Sequence, residues 1–106
     1  RKVFYSSDVM ILTSRYEGLP NVICESMLLG CPVIATSVSD NPYILGRKGE
    51  RGILCNPDSP TSLLGAIEYL ESMTPEKRHN MAVEARKFAQ TNFAIGLMIQ
   101  KYLTNI

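Results

Sequence analysis

Residues 14–36 read SRYEGLPNVICESMLLGCPVIAT, and this stretch decides the fold that the sequence predicts. The run DVMILT at 8–13 comes before it, and its apolar centre between polar ends is typical of a strand buried on both faces of a parallel sheet. Pro20 suits the first turn of a helix, because its fixed φ is helical and its missing N–H is not needed there. Gly30 suits the position just after a helix end, so we predict a helix from Pro20 to about Leu29.

The rest of the chain continues the alternation of strands and helices. Residues 32–38 (PVIATSV) form the second predicted strand, and 52–55 (GILC) form a short third one. Between them, the polar, turn-rich segment 39–51 is predicted to be a surface loop. Three helices are predicted after the third strand: one opening at Pro60 with Ser59 or Asp58 as its cap, one opening at Pro75 with Thr74 as its cap, and a last one beyond a break near Thr91-Asn92.

This order of elements predicts an α/β fold with parallel strands and right-handed crossovers. Three short strands make a thin sheet, so residues 1–106 are predicted to be the second half of a doubly wound, Rossmann-like sheet, truncated, with helices at its C-terminal end. Such a sheet has an unpaired edge strand, which invites pairing with another segment. A missing half-domain, a partner chain or a swapped copy could cover that edge.

Composition bounds the function classes. A length of 106 residues suits one small domain, and a net charge of +1 gives no reason to expect a nucleic-acid partner. No apolar run is long enough to cross a bilayer, and the first residues, RKVFYSSD, do not resemble a signal peptide. The three cysteines lack metal-ligand spacing and are interpreted as reduced thiols, which predicts a cytoplasmic protein.

Two carboxylates, Glu17 and Glu25, are the candidate functional residues of this stretch. Glu17 lies in the turn after the first strand, and Glu25 lies inside a largely apolar helix, where burial of a carboxylate is costly unless something donates hydrogen bonds to it. The donor could be internal or could be a ligand hydroxyl. From the residues alone, Glu17 could equally be a solvated turn residue and Glu25 a charge that complements the helix dipole.

The ordered set of Glu17, Glu25, Gly30 and Pro32-Val33 resembles the C-terminal nucleotide-sugar-binding domain of retaining GT-B glycosyltransferases, and most closely glycosyltransferase family 4 (glycosyl transferases group 1). Seven residues separate the two glutamates, as in that family. The later segments Gly52-Ile53-Leu54 and Asn56-Pro57-Asp58, with the helix around Leu63 to Ile67, are similar to its closing strand and helix. The resemblance therefore covers nearly the whole chain.

The resemblance implies an enzyme that transfers a sugar from a nucleotide diphosphate donor, with retention at the anomeric carbon and with neither a metal nor a cofactor. The acceptor would be a glycan or lipid-linked glycan in surface polysaccharide or glycolipid synthesis. It would be bound by a separate N-terminal domain that is absent from this sequence. Also absent is the first half of the nucleotide-binding domain, which brings the basic residues that face the diphosphate. The full enzyme would be cytoplasmic and peripheral to the membrane.

The resemblance also assigns roles within the predicted site. Glu17 is the candidate catalytic residue and faces the donor sugar, while the ribose hydroxyls fall to Glu25, whose charge strengthens those hydrogen bonds. Contacts to the donor sugar and phosphates are assigned to the turn and to the first helical turn, where free N–H groups favour anions: Gly18, Leu19, Asn21 and Val22. The sequence departs from the family at 39–43 (SDNPY), where the family usually carries Gly-Gly and a glutamate.

Two other function classes stay open at this point. The chain could be a nucleotide-binding module without transferase activity. It could also be an assembly module that docks, or forms a dimer, through its open sheet edge. Nucleotide binding would separate the transferase and the binding module from the assembly module. Transfer of a sugar would separate the transferase from the binding module.

Overall fold

A computed structural model describes residues 2–5, 9–13 and 20–92 of the chain. These residues form four strands: Lys2–Tyr5 (β1), Met10–Thr13 (β2), Val33–Thr36 (β3) and Ile53–Cys55 (β4). They also form four helices: Pro20–Leu28 (α1), Asn41–Leu45 (α2), Pro60–Ser72 (α3) and Pro75–Asn92 (α4). The order of elements confirms the predicted α/β fold.

The four strands form one sheet in the order β1-β2-β3-β4. β2, β3 and β4 are parallel, as predicted, and Leu12, Ala35 and Leu54 lie side by side across them. β1 runs antiparallel to β2, with Val3 opposite Leu12, and so pairs with one edge of the predicted three-stranded sheet. β1 was not predicted, because a strand of four residues is too short to show a clear period.

The sheet is covered by helices on both faces. The faces alternate along each strand, so that the row of Leu12, Ala35 and Leu54 packs with residues of α1, α2 and α4, including Ile23 and Leu45. The opposite row of isoleucines packs with residues of α3, together with Met81 of α4: Ile11, Ile34 and Ile53. Burial on both faces explains why the parallel strands are continuously apolar.

Helix α1 ends as its sequence predicts, with Leu28 as its last residue and Gly30 in a left-handed conformation at φ 77°. The N–H of Gly30 donates to the carbonyl of Met27 at 3.2 Å, and the N–H of Cys31 donates to the carbonyl of Ser26 at 2.9 Å. These two bonds form a Schellman motif, which glycine favours because it has no Cβ to clash at positive φ. The chain then turns directly into β3.

Helix α4 packs on α1 and closes this face of the sheet. Ala85 and Ala89 of α4 are buried in the same cluster as Ile23 and Met27 of α1. Arg86 of α4 donates from Nε to the carbonyl oxygen of Leu28 at 3.2 Å, 58 residues away in sequence. A guanidinium at this position complements the negative end of the α1 dipole and ties the two helices together.

The predicted caps of the two long helices are confirmed. Ser59 caps α3, because its hydroxyl accepts from the N–H of Ser62 at 3.1 Å, and Thr74 caps α4 by accepting from Lys77 at 3.1 Å. Helix α4 continues through Asn92. The predicted last helix lies outside the described residues. No helix in the described part of the chain has both the length and the apolar character of a membrane span.

The prediction of a surface loop over residues 39–51 is wrong in part. Its first half contains the short helix α2, in which Pro42, Ile44 and Leu45 are buried. Five residues are too few to display a helical period. The loop prediction therefore followed the polar and turn-forming residues on either side of α2. The second half is more exposed, with Arg47 and Lys48 on the surface.

Candidate functional site

The candidate site lies at the edge of the sheet where the parallel strands end. Thr13, Thr36 and Cys55 are the last residues of β2, β3 and β4, and in parallel α/β sheets ligands bind beyond this carboxyl edge. Helix α1 begins at Pro20, soon after β2 ends, so its N-terminus lies at the same edge. Three residues predicted to contact the donor fall in segment 14–19, outside the described residues, and their roles stay predictions: Glu17, Gly18 and Leu19.

Asn21 and Val22 lie in the first turn of α1, as predicted. The N–H groups of a first helical turn have no acceptor within the helix and carry the positive end of the helix dipole. The side chain of Val22 is partly buried and packs against the core cluster. Its backbone N–H is therefore fixed in place at the end of the helix where the phosphates are predicted to bind.

Glu25 lies on the outer face of α1, with an exposed side chain. The expectation that it is surrounded by apolar side chains is wrong: Cys24 and Ser26 on either side are buried, while Glu25 and Leu29, four residues apart, share the exposed stripe of the helix. The carboxylate therefore carries no burial cost and needs no internal partner. Its exposure leaves the carboxylate accessible from the surface of α1.

The segment that joins β3 to α2 forms a tight turn at the same edge of the sheet. The N–H of Ser37 donates to the carbonyl of Cys55 at 2.8 Å, which ties the end of β3 to the end of β4. Ser39 has a φ of 51°, in the left-handed region that glycine adopts at lower cost. This turn is the segment in which the sequence departs from the family that it resembles.

Asn41 holds this turn from within the core. Its side chain is 0% exposed, and its Nδ2 donates to the carbonyl of Thr36 at 2.8 Å. Its Oδ1 is also buried and has no hydrogen-bond partner. One buried hydrogen bond contributes about 0.5–1.5 kcal/mol, whereas an unpaired buried acceptor costs about 1–3 kcal/mol. The unpaired acceptor thus offsets much of the stability that the hydrogen bond contributes. Sequence reasoning missed it, because Asn before Pro is typical of an exposed turn.

Arg51 fixes the other end of α2. Its Nε donates to the carbonyl of Ile44 at 2.8 Å, and its Nη2 donates to that of Tyr43 at 2.8 Å. The guanidinium lies 4.0 Å from the ring centroid of Phe88 on α4, and the Tyr43 and Phe88 rings meet edge to face at 5.6 Å. We call Arg51, Tyr43 and Phe88 the α2 latch. It holds α2, and with it Asn41, against α4.

The described residues show no grouping of metal ligands, and two of their cysteine thiols are held in the neutral form. Among residues 2–5, 9–13 and 20–92, no three His, Cys, Asp or Glu side chains come together as metal ligands. The cysteines form no disulfide, and burial raises the pKa of Cys24 to about 12 and also raises the pKa of Cys55. Thiols held in their neutral form are poor nucleophiles. The groups that the described part of the site presents are the backbone amides at the start of α1 and the exposed carboxylate of Glu25.

Comparison with known proteins gives this geometry a context. The family model described as "Glycosyl transferases group 1" matches residues 1–88. Among curated proteins, the Vi polysaccharide biosynthesis protein VipC/TviE of Salmonella typhi is 30% identical over 101 residues, a match that covers 93% of this chain and 17% of that protein.

Solved structures share the fold. A glycosyltransferase from Rickettsia africae ESF-5 superposes with a TM-score of 0.72 over 92% of this chain, at 24% identity. Anabaena Alr3699/HepE, solved in complex with UDP and glucose, superposes with a TM-score of 0.69 over 90% of this chain, at 26% identity. The chain spans only 26% and 27% of these two proteins, respectively, so it corresponds to about a quarter of each.

Proposed function

The chain belongs to the glycosyl transferases group 1 family, and we propose that it forms part of the nucleotide-sugar-binding domain of a retaining GT-B enzyme of glycosyltransferase family 4. The observation that carries the proposal is the position of α1. Its N-terminus lies at the carboxyl edge of the parallel sheet, and its exposed face carries Glu25. Because the chain spans 17% of the Salmonella relative and 27% of the Anabaena neighbour, transfer would be a property of a longer polypeptide that contains it.

The proposed donor is a sugar linked to a nucleoside diphosphate. Free N–H groups at the start of α1, from Asn21 and Val22, would bind the phosphates, since a helix N-terminus favours anions. Glu25 would accept hydrogen bonds from the ribose hydroxyls, and an ionised acceptor makes such bonds stronger than a neutral one does. The UDP and glucose held by the Anabaena neighbour support a donor of this class.

The proposed chemistry depends on positioning. Glu17, Gly18 and Leu19 would orient the donor sugar, while the helix amides, with basic side chains from the rest of the enzyme, would stabilise the departing diphosphate without a metal. The acceptor, a glycan or lipid-linked glycan, would come from another domain. The function of the Salmonella relative in Vi polysaccharide synthesis supports a role in making surface polysaccharide. We place this activity in the cytoplasm, at the membrane periphery.

A nucleotide-binding module without transfer would use the same site. Incubation of the complete polypeptide with UDP-, GDP- and ADP-linked sugars separates the two functions, because only the transferase releases the free nucleoside diphosphate in the presence of an acceptor.

Calorimetry with UDP, GDP and ADP on the complete polypeptide tests the site. We expect one of the three to bind, and Glu25→Ala to weaken its binding about tenfold or more, since hydrogen bonds to a charged group contribute about 1.5–3 kcal/mol. Glu68→Ala is the matched control, because Glu68 is also an exposed helical glutamate but lies on α3. Equal affinity of the Glu25 variant and the wild type would refute the ribose assignment, and failure of all three nucleotides to bind would refute the function.

A further inference from the structure

Asn41 is connected to the candidate site through a short path of described contacts. Its Nδ2 donates to the carbonyl of Thr36, the last residue of β3. The pairing of Leu12 with Ala35 places Thr36 beside Thr13, the last residue of β2. Thr13 ends β2 at the carboxyl edge of the sheet, the edge at which α1 begins with Pro20. The Asn41 amide thus fixes the strand end that neighbours the end of β2 at the carboxyl edge.

Asn41 also shapes the turn at the carboxyl edge, through its backbone as well as its side chain. The N–H of Asn41 donates to the carbonyl of Val38 at 3.0 Å, and the N–H of Val38 donates to the carbonyl of Thr36 at 2.9 Å. The buried hydrogen bond from Nδ2 of Asn41 to the carbonyl of Thr36 holds the two ends of the turn together. With its ends held in this way, the turn keeps Ser39 in the left-handed conformation, and it presents Ser37, Ser39 and Asp40 at the surface.

We propose that Asn41 is a positioning residue for donor binding: its buried amide sets the end of β3 and the turn Ser37–Asp40 so that the adjoining donor site is preformed. The inference rests on the proposed function and goes beyond it, because Asn41 itself touches no donor. It acts through Thr36 and the turn.

The unpaired Oδ1 indicates that this amide is not present for stability. A buried acceptor without a partner opposes folding, and an apolar side chain of similar size would avoid that cost. Replacement of Asn41 by leucine should therefore leave the folded state as stable as the wild type or make it more stable. A residue that serves only the core would behave in the opposite way, since losing its hydrogen bond would lower stability and leave ligand affinity unchanged.

The test compares Asn41→Leu with the wild type in the complete polypeptide. We expect the midpoint of urea unfolding to stay the same or to rise, while the affinity for whichever of UDP, GDP and ADP the wild type binds falls about fivefold or more, because small displacements at a preformed site are costly. We also expect KM for the nucleotide sugar to rise by a similar factor. Lower stability with unchanged nucleotide affinity would overturn the proposal.

A second pair of variants covers the case in which leucine does not fit. Asn41→Ala and Leu45→Ala both truncate a fully buried side chain of α2, and only the first removes the bond to Thr36. We expect only Asn41→Ala to weaken nucleotide binding, and equal affinities in the two variants would refute the role of Asn41. If the wild type binds none of the three nucleotides, the proposed function itself fails, which is a separate result from an unaffected Asn41 variant.

Discussion

Gly52 is a position at which one added methyl group would disturb the sheet. A Cβ built on Gly52 would lie 2.6 Å from Cδ2 of Leu45 and 3.0 Å from the carbonyl oxygen of Val33. The first contact falls on α2 and the second on the backbone of β3, so the alanine could be accommodated only by moving packed elements. We expect Gly52→Ala to lower the free energy of unfolding by about 1–3 kcal/mol, measured by urea denaturation followed by circular dichroism.

Gly65 provides the matched control. It lies within α3, and a Cβ built there would meet no atom within 4 Å. Gly65→Ala should raise the free energy of unfolding by about 0.5–1 kcal/mol, because alanine loses less conformational freedom in a helix. A Gly52→Ala variant as stable as Gly65→Ala would contradict the packing described between α2 and β4.

Single residues differ in how well the sequence predicts them. Pro20, Gly30, Ser59 and Thr74 were predicted correctly, because caps and helix ends depend on a few neighbouring residues. The exposure of Glu25 was not predicted. Whether a helical side chain is buried depends on its angular position around the helix more than on whether its sequence neighbours are apolar. The burial of Asn41 was not predicted, because Asn before Pro is typical of an exposed turn and nothing in its neighbours signals that α2 packs against the core.

At the scale of elements, the α2 latch holds together α2 and α4, two helices that are far apart in the sequence. Arg51 makes two hydrogen bonds to the last turn of α2 while stacking on Phe88 of α4. Lysine can neither make both bonds in this planar arrangement nor stack in the same way. We expect Arg51→Lys to lower the free energy of unfolding by about 1–2 kcal/mol, measured by thermal denaturation.

The control for this change lies four residues away. Arg47 is exposed, so Arg47→Lys should leave the midpoint of thermal unfolding unchanged. If the two conservative substitutions had equal effects, the latch would contribute nothing to the packing of α2 on α4.

The elements that sequence reasoning missed, β1 and α2, are the short ones without strong boundary signals. β1 has four residues and α2 has five, fewer than a period needs to become visible. Tertiary contacts supply what the pattern lacks: β1 pairs with β2, and α2 buries Ile44 and Leu45 against the sheet. The parallel strands and the long helices were predictable, since continuous apolar runs and capped amphipathic segments are local signals.

The whole molecule should lose stability in alkaline solution. Burial raises the pKa of Cys24 from 9.0 to about 12, and it raises that of Cys55 as well. Below about pH 9 both the folded and the unfolded chain keep these thiol protons, so the two buried thiols make their full contribution to the free energy of unfolding. Above that pH the unfolded chain releases them while the folded chain retains them, so the free energy of unfolding should fall as pH rises.

Other groups also titrate in this range, so the test compares variants. Cys24→Ala should be less stable than the wild type at about pH 7, because it leaves a cavity, and the gap between the two should narrow by about pH 10 as the wild type loses the thiol contribution. Urea denaturation over this range measures the gap. A gap that does not change with pH would show that the Cys24 thiol titrates alike in both states.

The fold class followed from the order of strands and helices, whereas the assembly of the site depends on contacts across the whole molecule. The sequence predicted that α1 follows β2, which the structure confirms, and this order places the start of α1 at the carboxyl edge. The sequence did not predict the turn from Ser37 to Asn41 at the same edge. The shape of this turn depends on the buried amide of Asn41 and on the left-handed backbone conformation of Ser39.

The unequal burial of the three cysteines makes the protein easy to label at one place. Cys24 and Cys55 lie in the core with suppressed ionisation, whereas Cys31 is only partly buried, between the end of α1 and the start of β3. Maleimide dyes react with ionised, accessible sulfur, so at neutral pH they would modify Cys31 first. That position is at the opposite edge of the sheet from the start of α1, so a fluorophore attached there could follow conformational changes without occupying the candidate site.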